Sequence, residues 1–144
     1  AAGSAPYDVL LAAAVLEHLR QPGQILYEAQ GLLKPGAYVV VSLPNVAHWQ
    51  SRLRLLLGRF NYQDYGIMDR THLHFYTLRT GRALLEEQGY EVEQVLIAGS
   101  GLQNMLNALA RRLHRRLPRP ILPELLAYEL IYVARPAHLP QQAG

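Results

Sequence analysis

Glu17 and His18 stand side by side just after an apolar run. A carboxylate beside an imidazole suits general acid/base work or metal ligation, because the imidazole titrates near neutral pH. The same pair also suits a structural role, with Glu17 capping a turn and His18 satisfying a backbone group, since neighbours on a helix point in different directions. A second set follows the next apolar run: Ser42, Pro44, Asn45, His48 and Trp49. Asn45 offers a donor and an acceptor, so it can hold a polar substrate or cap a helix, and His48 joins it as a candidate substrate contact. Trp49 falls on an apolar helix face and reads as core. The third set is Asp64, Tyr65, Asp69, Arg70, His72, His74, Phe75 and Tyr76. His72 and His74 are two apart and share a face if the segment is extended, where they can share a ligand or a proton acceptor. His-x-His without a third spaced ligand is a weak metal signal. A substrate-side loop, with Asp69 and His72 toward the substrate and a histidine as general base, fits better, and ordinary loop packing is the plainer alternative.

The elements that must position these groups are legible around them. Asp8 to Ala14 is continuously apolar, as in a central parallel strand buried on both faces. A turn over Arg20 to Gly23 leads into a helix with Pro22 in its first turn and Ile25, Leu26, Ala29, Leu32 and Leu33 on one face, stopped by Lys34-Pro35-Gly36. Val39 to Leu43 is a second buried strand, ended by Pro44. Two such runs joined by one helix form a βαβ unit. Ligands of open α/β sheets bind at the carboxyl ends of the strands, which places Glu17, His18, Pro44 and Asn45 at a rim. Val46 to Leu57 has helical spacing and Gly58 closes it. Phe60 to Tyr76 has no clear period, the mark of a lid or binding loop. Thr77 is an N-cap for a helix over Leu78 to Gln88, with Gly89 at C′. Glu91 to Ala98 and Tyr128 to Ala134 read as strands, the second alternating Glu129, Ile131 and Val133 against Tyr128, Leu130 and Tyr132. Between them Leu102, Leu106, Leu109, Leu113 and Leu117 line one face of an amphipathic helix, broken by Pro118, Pro120 and Pro123.

Composition narrows the classes. A chain of 144 residues, half of them hydrophobic and 17% charged, buries one sizeable core. Residues 1–136 read as part of a single domain and 137–144 as a tail. The absence of cysteine removes disulfides, cysteine metal sites and thiol nucleophiles, and a cytoplasmic location is the expectation. No apolar run approaches the roughly 20 residues of a membrane span, and the opening AAGSAP lacks the parts of a signal peptide. The net charge of +3 is concentrated in Arg111, Arg112, Arg115, Arg116 and Arg119. Aromatic residues are not interleaved with these arginines, which weighs against nucleic acid. A solvated face or peripheral contact with an anionic surface through Arg111, Arg112, Arg115 and Arg116 remains.

Four stretches taken together, YDVLLAAAVLEHL, LLKPGAYVVVSLPN, DRTHLHFYT and LLEEQGYEVEQV, carry a family likeness. Over Tyr7 to Val95 the chain resembles the second half of a class I S-adenosylmethionine-dependent methyltransferase, closest to the small-molecule group that includes the ubiquinone-biosynthesis O-methyltransferases. The resemblance implies a Rossmann-like α/β fold in which these strands are the fourth to seventh of the sheet, the last two an antiparallel hairpin. It implies S-adenosylmethionine as cofactor, with Ala12, Ala13, Ala14, Leu16 and Glu17 along it. His18, His72 and His74 are then the candidate bases, His18 first, and Asn45, His48, Asp69 and His72 face a small-molecule methyl acceptor. The glycine-rich loop of such enzymes is absent, so the partner implied is the N-terminal half of the domain, and this chain alone is expected to be inactive. Ubiquinone-type enzymes have Glu-x-x-Glu-His at the first strand end, a divalent-metal pattern. Ala14 stands in place of the first carboxylate, so no metal is expected from the resemblance. A non-catalytic methyltransferase-like module, docking through its basic helix on a membrane surface or partner, is the alternative.

Overall fold

A computed structural model describes residues 7–99 and 123–137. β1 (Tyr7–Ala13) and β2 (Leu33–Pro44) pair in parallel, joined by helix α1 (Pro22–Ala29) and a 3-10 turn over Gln30–Leu32. α2 (Trp49–Leu56), a long loop and α3 (Leu78–Glu87) lead to β3 (Tyr90–Gly99). The short α4 (Pro123–Leu126) precedes β4 (Ala127–Pro136). β4 inserts between β2 and β3 and is antiparallel to both, giving the order β1-β2-β4-β3 in one mixed sheet. The expected α/β class and the antiparallel final pair are therefore present.

Two expectations change. β1 has the apolar sequence of an interior strand, yet it lies at the sheet edge with Val9 56% and Leu11 68% exposed. Among the described residues nothing pairs with its outer side, and period-two patterning cannot reveal which neighbours a strand will find. The first helix is also shorter than its spacing suggests, because Leu33 to Gly36 already belong to β2. Ile25 and Leu32 are consequently exposed, while Leu26 and Leu33 enter the core. The leucine-striped segment with its arginines and residues 138–144 lie outside the described residues. No helix among the described residues is long and apolar enough to cross a membrane.

The core forms under the central strands. Val39, Val41 and Leu43 of β2 meet Leu130, Tyr132 and Ala134 of β4, all fully buried. Thr77 caps α3 through reciprocal hydrogen bonds with Thr80, and Gly89 follows with φ of 79°, as the cap signals require. Two tyrosines lock the helices to the sheet: Tyr90 Oη donates to Leu26 O at 2.7 Å and Tyr132 Oη to Leu78 O at 3.1 Å. Burial pushes the Tyr90 phenol up to about 12 and the Tyr132 phenol higher still. Gly81 lies directly over the Tyr132 ring, where a Cβ would overlap the phenol oxygen and Cζ. Gly81→Ala, although it raises helix propensity, is expected to lower stability by about 1–3 kcal/mol through overpacking, read as a fall in the urea midpoint at unchanged slope.

Candidate functional site

The site begins where β1 ends. Ala14 takes φ of 49°, costly for a residue with a Cβ, and its N–H is held by Ser42, whose O and Oγ lie at 3.3 and 3.1 Å. That reversal sends the chain into a 3-10 turn over Leu16–His18, with Leu16 and Glu17 buried and His18 open to the surface. The carbonyl of Glu17 then accepts from the amides of Leu73 and His74, at 2.8 and 3.2 Å. These two bonds dock the DRTHLHFYT loop on the turn. Packing orders the rest of the loop: His72, Phe75, Phe60 and Tyr62 stack edge to face at centroid distances of 5.6 to 6.2 Å.

The result is a three-residue cluster. Glu17 Oε1 lies 4.0 Å from Nε2 of His18 and 4.0 Å from Nε2 of His72, and the two rings meet edge-on with centroids 4.8 Å apart. Glu17 is 1% exposed and neither of its carboxylate oxygens has a hydrogen-bond partner. On the far side of each ring the Nδ1 meets a carbonyl, Thr71 O at 3.2 Å for His18 and Ile67 O at 3.1 Å for His72. A carbonyl only accepts, so each Nδ1 carries a hydrogen and each ring turns its Nε2 edge toward Glu17. Asp69 supports this arrangement by accepting from Thr71 Oγ1 at 2.6 Å and Thr71 N at 2.8 Å. Those hydrogen bonds hold its carboxyl below the usual range, with smaller help from the nearby imidazoles. Burial and the Glu17 charge push the Tyr76 phenol up to about 12.

The cluster opens into a cleft of about 290 Å3. The strand ends contribute Ala14, Glu17, His18 and Pro44, the loop contributes Gly66, Asp69 and His72, and the start of β4 adds Tyr128 and Glu129. Gly66, at φ of 86°, leaves the room Tyr128 needs, since a Cβ there would lie 2.6 Å from its Oη. The sequence reading missed Gly66, Tyr128 and Glu129. A signal existed for Glu129, the one acidic residue in the apolar run Ala127 to Ala134, but only the Pro44–Glu129 pairing shows where it sits.

Other candidates fall elsewhere. Asn45 is fully buried, its Nδ2 donating to Glu124 O at 2.7 Å and Ala127 O at 2.8 Å, its Oδ1 accepting from Ala47 N at 3.0 Å. His48, also buried, caps α2 by accepting from Gln50 N and packs against Trp49 and Tyr128. Neither lines the cleft. His72 and His74 do not share a face: His72 faces Glu17, while the His74 ring lies against Tyr76. Ala12 is half-buried on β1, and Ala13 and Ala14 are exposed at its end. The donor atoms of Glu17, His18 and His72 lie within 4.8 Å of one another, a spacing open to a metal ion, whereas Ala14 brings no donor.

Residues 1–95 match the family model described as a methyltransferase domain. The chain belongs to that family. Solved methyltransferases share its fold. One, an S-adenosylmethionine-dependent methyltransferase from Archaeoglobus fulgidus, is 16% identical with a TM-score of 0.51, over 90% of this chain and 59% of that one. The CcbJ methyltransferase from Streptomyces caelestis is 16% identical with a TM-score of 0.55, over 96% of this chain and 60% of that one. A Mesorhizobium loti S-adenosylmethionine-dependent methyltransferase gives 16% identity and a TM-score of 0.53, over 90% of this chain and 62% of that one. The chain thus spans about three fifths of the length of these structures. No curated protein matches it.

Two outcomes follow from the geometry. A buried acceptor left without a donor costs about 1–3 kcal/mol and more when charged. Glu17→Gln keeps the shape and removes the charge from a buried group with no hydrogen-bond partner, so urea denaturation should show it more stable by about 1–3 kcal/mol. Burial lowers the His48 pKa from 6.5. Below 6.5 the unfolded chain takes up a proton that the folded chain refuses, so stability falls as pH drops from there toward the folded value. The loss between about pH 7.5 and 5.5 should shrink in His48→Asn, which can still cap α2.

Proposed function

We propose that the protein carrying this chain is an S-adenosylmethionine-dependent methyltransferase acting on a small molecule. The observation that carries this reading is the cleft at the carboxyl ends of the parallel β1 and β2, in a chain of the methyltransferase domain family. The relatives named for S-adenosylmethionine support the cofactor. In this reading the exposed small surface of Ala13 and Ala14, with Ala12, Leu16 and Glu17 behind it, forms one wall of the cofactor site. Its other wall belongs to an N-terminal half of the domain, whose strands would cover the bare edge of β1. A cleft this size takes a small acceptor.

The transfer is a displacement: the acceptor's lone pair forms a bond to the methyl carbon as the carbon–sulfonium bond breaks, leaving the neutral sulfide. Alignment supplies most of the acceleration. An acceptor O–H or N–H must also lose its proton, and the Glu17–His18–His72 cluster is placed to promote that, His18 being the member most open to the cleft. Asp69 and His72 lie on the acceptor side.

Calorimetry of the full-length protein with S-adenosylhomocysteine is expected to show one-to-one binding, and the 144-residue chain alone none. In the full-length protein His18→Ala should lower kcat by about 100-fold or more while leaving that affinity in place. Absence of binding by the full-length protein would remove the reading.

A further inference from the structure

The geometry points to a methyl acceptor that enters the cleft as a cation, its ammonium group held by Asp69 and Glu129 beside the ring of Tyr128. The assignment rests on the methyltransferase reading and gives its acceptor a chemical class. Among the described residues that line the cleft are three carboxylates, Glu17, Asp69 and Glu129, and no lysine or arginine. The chain has 14 lysines and arginines against 11 acidic residues, so this lining runs opposite to the net charge of +3. His18 and His72 cannot reverse its sign, since even two imidazolium charges would meet three carboxylates. An anionic acceptor is therefore repelled and a cationic one drawn in.

Each carboxylate has capacity to spare. Both hydrogen bonds that Asp69 receives, from Thr71 N and Thr71 Oγ1, fall on Oδ1, which leaves Oδ2 open to a ligand. Those bonds also hold the carboxyl below its usual range, so its charge persists at neutral pH. Glu129 is half-buried near the start of β4, opposite Pro44, and the ion pairs of the described lysine and arginines go to other acids. Glu17, 1% exposed in the same lining, has both oxygens unpartnered, a buried charge that a cation in the cleft would offset. Tyr128 adds an aromatic ring, whose face attracts a cation that has shed water. A protonated amine meets all of these, with one positive charge and several N–H donors. Held as an ion, that nitrogen has no lone pair to attack with, so it is a handle and the methyl goes to another atom of the acceptor.

Three phenols of similar shape test this on the full-length protein saturated with S-adenosylhomocysteine: tyramine is cationic, para-ethylphenol neutral and para-hydroxyphenylacetate anionic. Calorimetry should show tyramine binding roughly 10-fold more tightly than para-ethylphenol, and para-hydroxyphenylacetate not at all. Added salt should erode the tyramine advantage. Glu129→Gln and Asp69→Asn should each cut that advantage by roughly 3-fold or more, leaving the affinities for para-ethylphenol and S-adenosylhomocysteine in place. Asp64 pairs with Arg70 and does not line the cleft, so Asp64→Asn should keep the full advantage. Any tyramine product formed with S-adenosylmethionine should be the ether, its amine intact by mass spectrometry. Circular dichroism reports the folding of each variant. Failure of S-adenosylhomocysteine to bind removes the methyltransferase reading and is seen before a phenol is added. With that ligand bound, no tyramine binding, no preference for it, a preference intact in both cleft variants, or an N-methylated product would overturn the acceptor assignment alone. So would variants that weaken S-adenosylmethionine relative to S-adenosylhomocysteine and spare tyramine, because the carboxylates would then serve the sulfonium.

Discussion

One carbonyl organises this end of the molecule. Glu17 O accepts from two consecutive amides of a loop that is distant in sequence, and the pair of bonds fixes where the loop starts its run back to the sheet. Without them His72 would have no reason to lie beside Glu17, and the aromatic stack of Phe60, Tyr62 and Phe75 would have no anchor. The turn that presents this carbonyl depends in turn on Ala14, held in the left-handed region by its two bonds to Ser42. A local backbone reversal is thus translated into a meeting of side chains from two distant segments.

The fold was largely legible because its signals are local. The cap at Thr77, the glycine at 89 and the alternation of β4 each depend on a few neighbouring residues, and the structure has all three. Where the reading slipped, the deciding information was not local. The apolar run of β1 suits an interior strand, and its place at the edge depends on what pairs beside it. The early start of β2 depends on pairing between Tyr7 and Leu33, which helical spacing in the preceding segment cannot foresee.

The site divides the same way. Glu17 and His18 were visible as a pair after a strand, and His72 as a member of a histidine-rich loop, but nothing in their spacing says that they meet. His72 and His74 looked equivalent because a coil segment was read with a strand's period. The real chain turns between them, sending one ring to a carboxylate and the other to Tyr76. Asn45 and His48 are polar residues at a strand end, where substrate contacts and helix caps share a composition. Their hydrogen bonds, all to backbone, tie the end of β2 to the junction of α4 and β4 and cap α2.

The insertion of β4 between β2 and β3 has a consequence in time. Among the described residues β3 pairs with β4 alone, and β4 is the last of the described strands. A ribosome releasing this sequence produces the parallel pair and the histidine loop first, with one rim of the cleft unbuilt until Tyr128 and Glu129 emerge. Until then β3 is an unpaired strand with apolar residues on it, the kind of surface that chaperones cover. The cleft is therefore complete only once the start of β4 is in place.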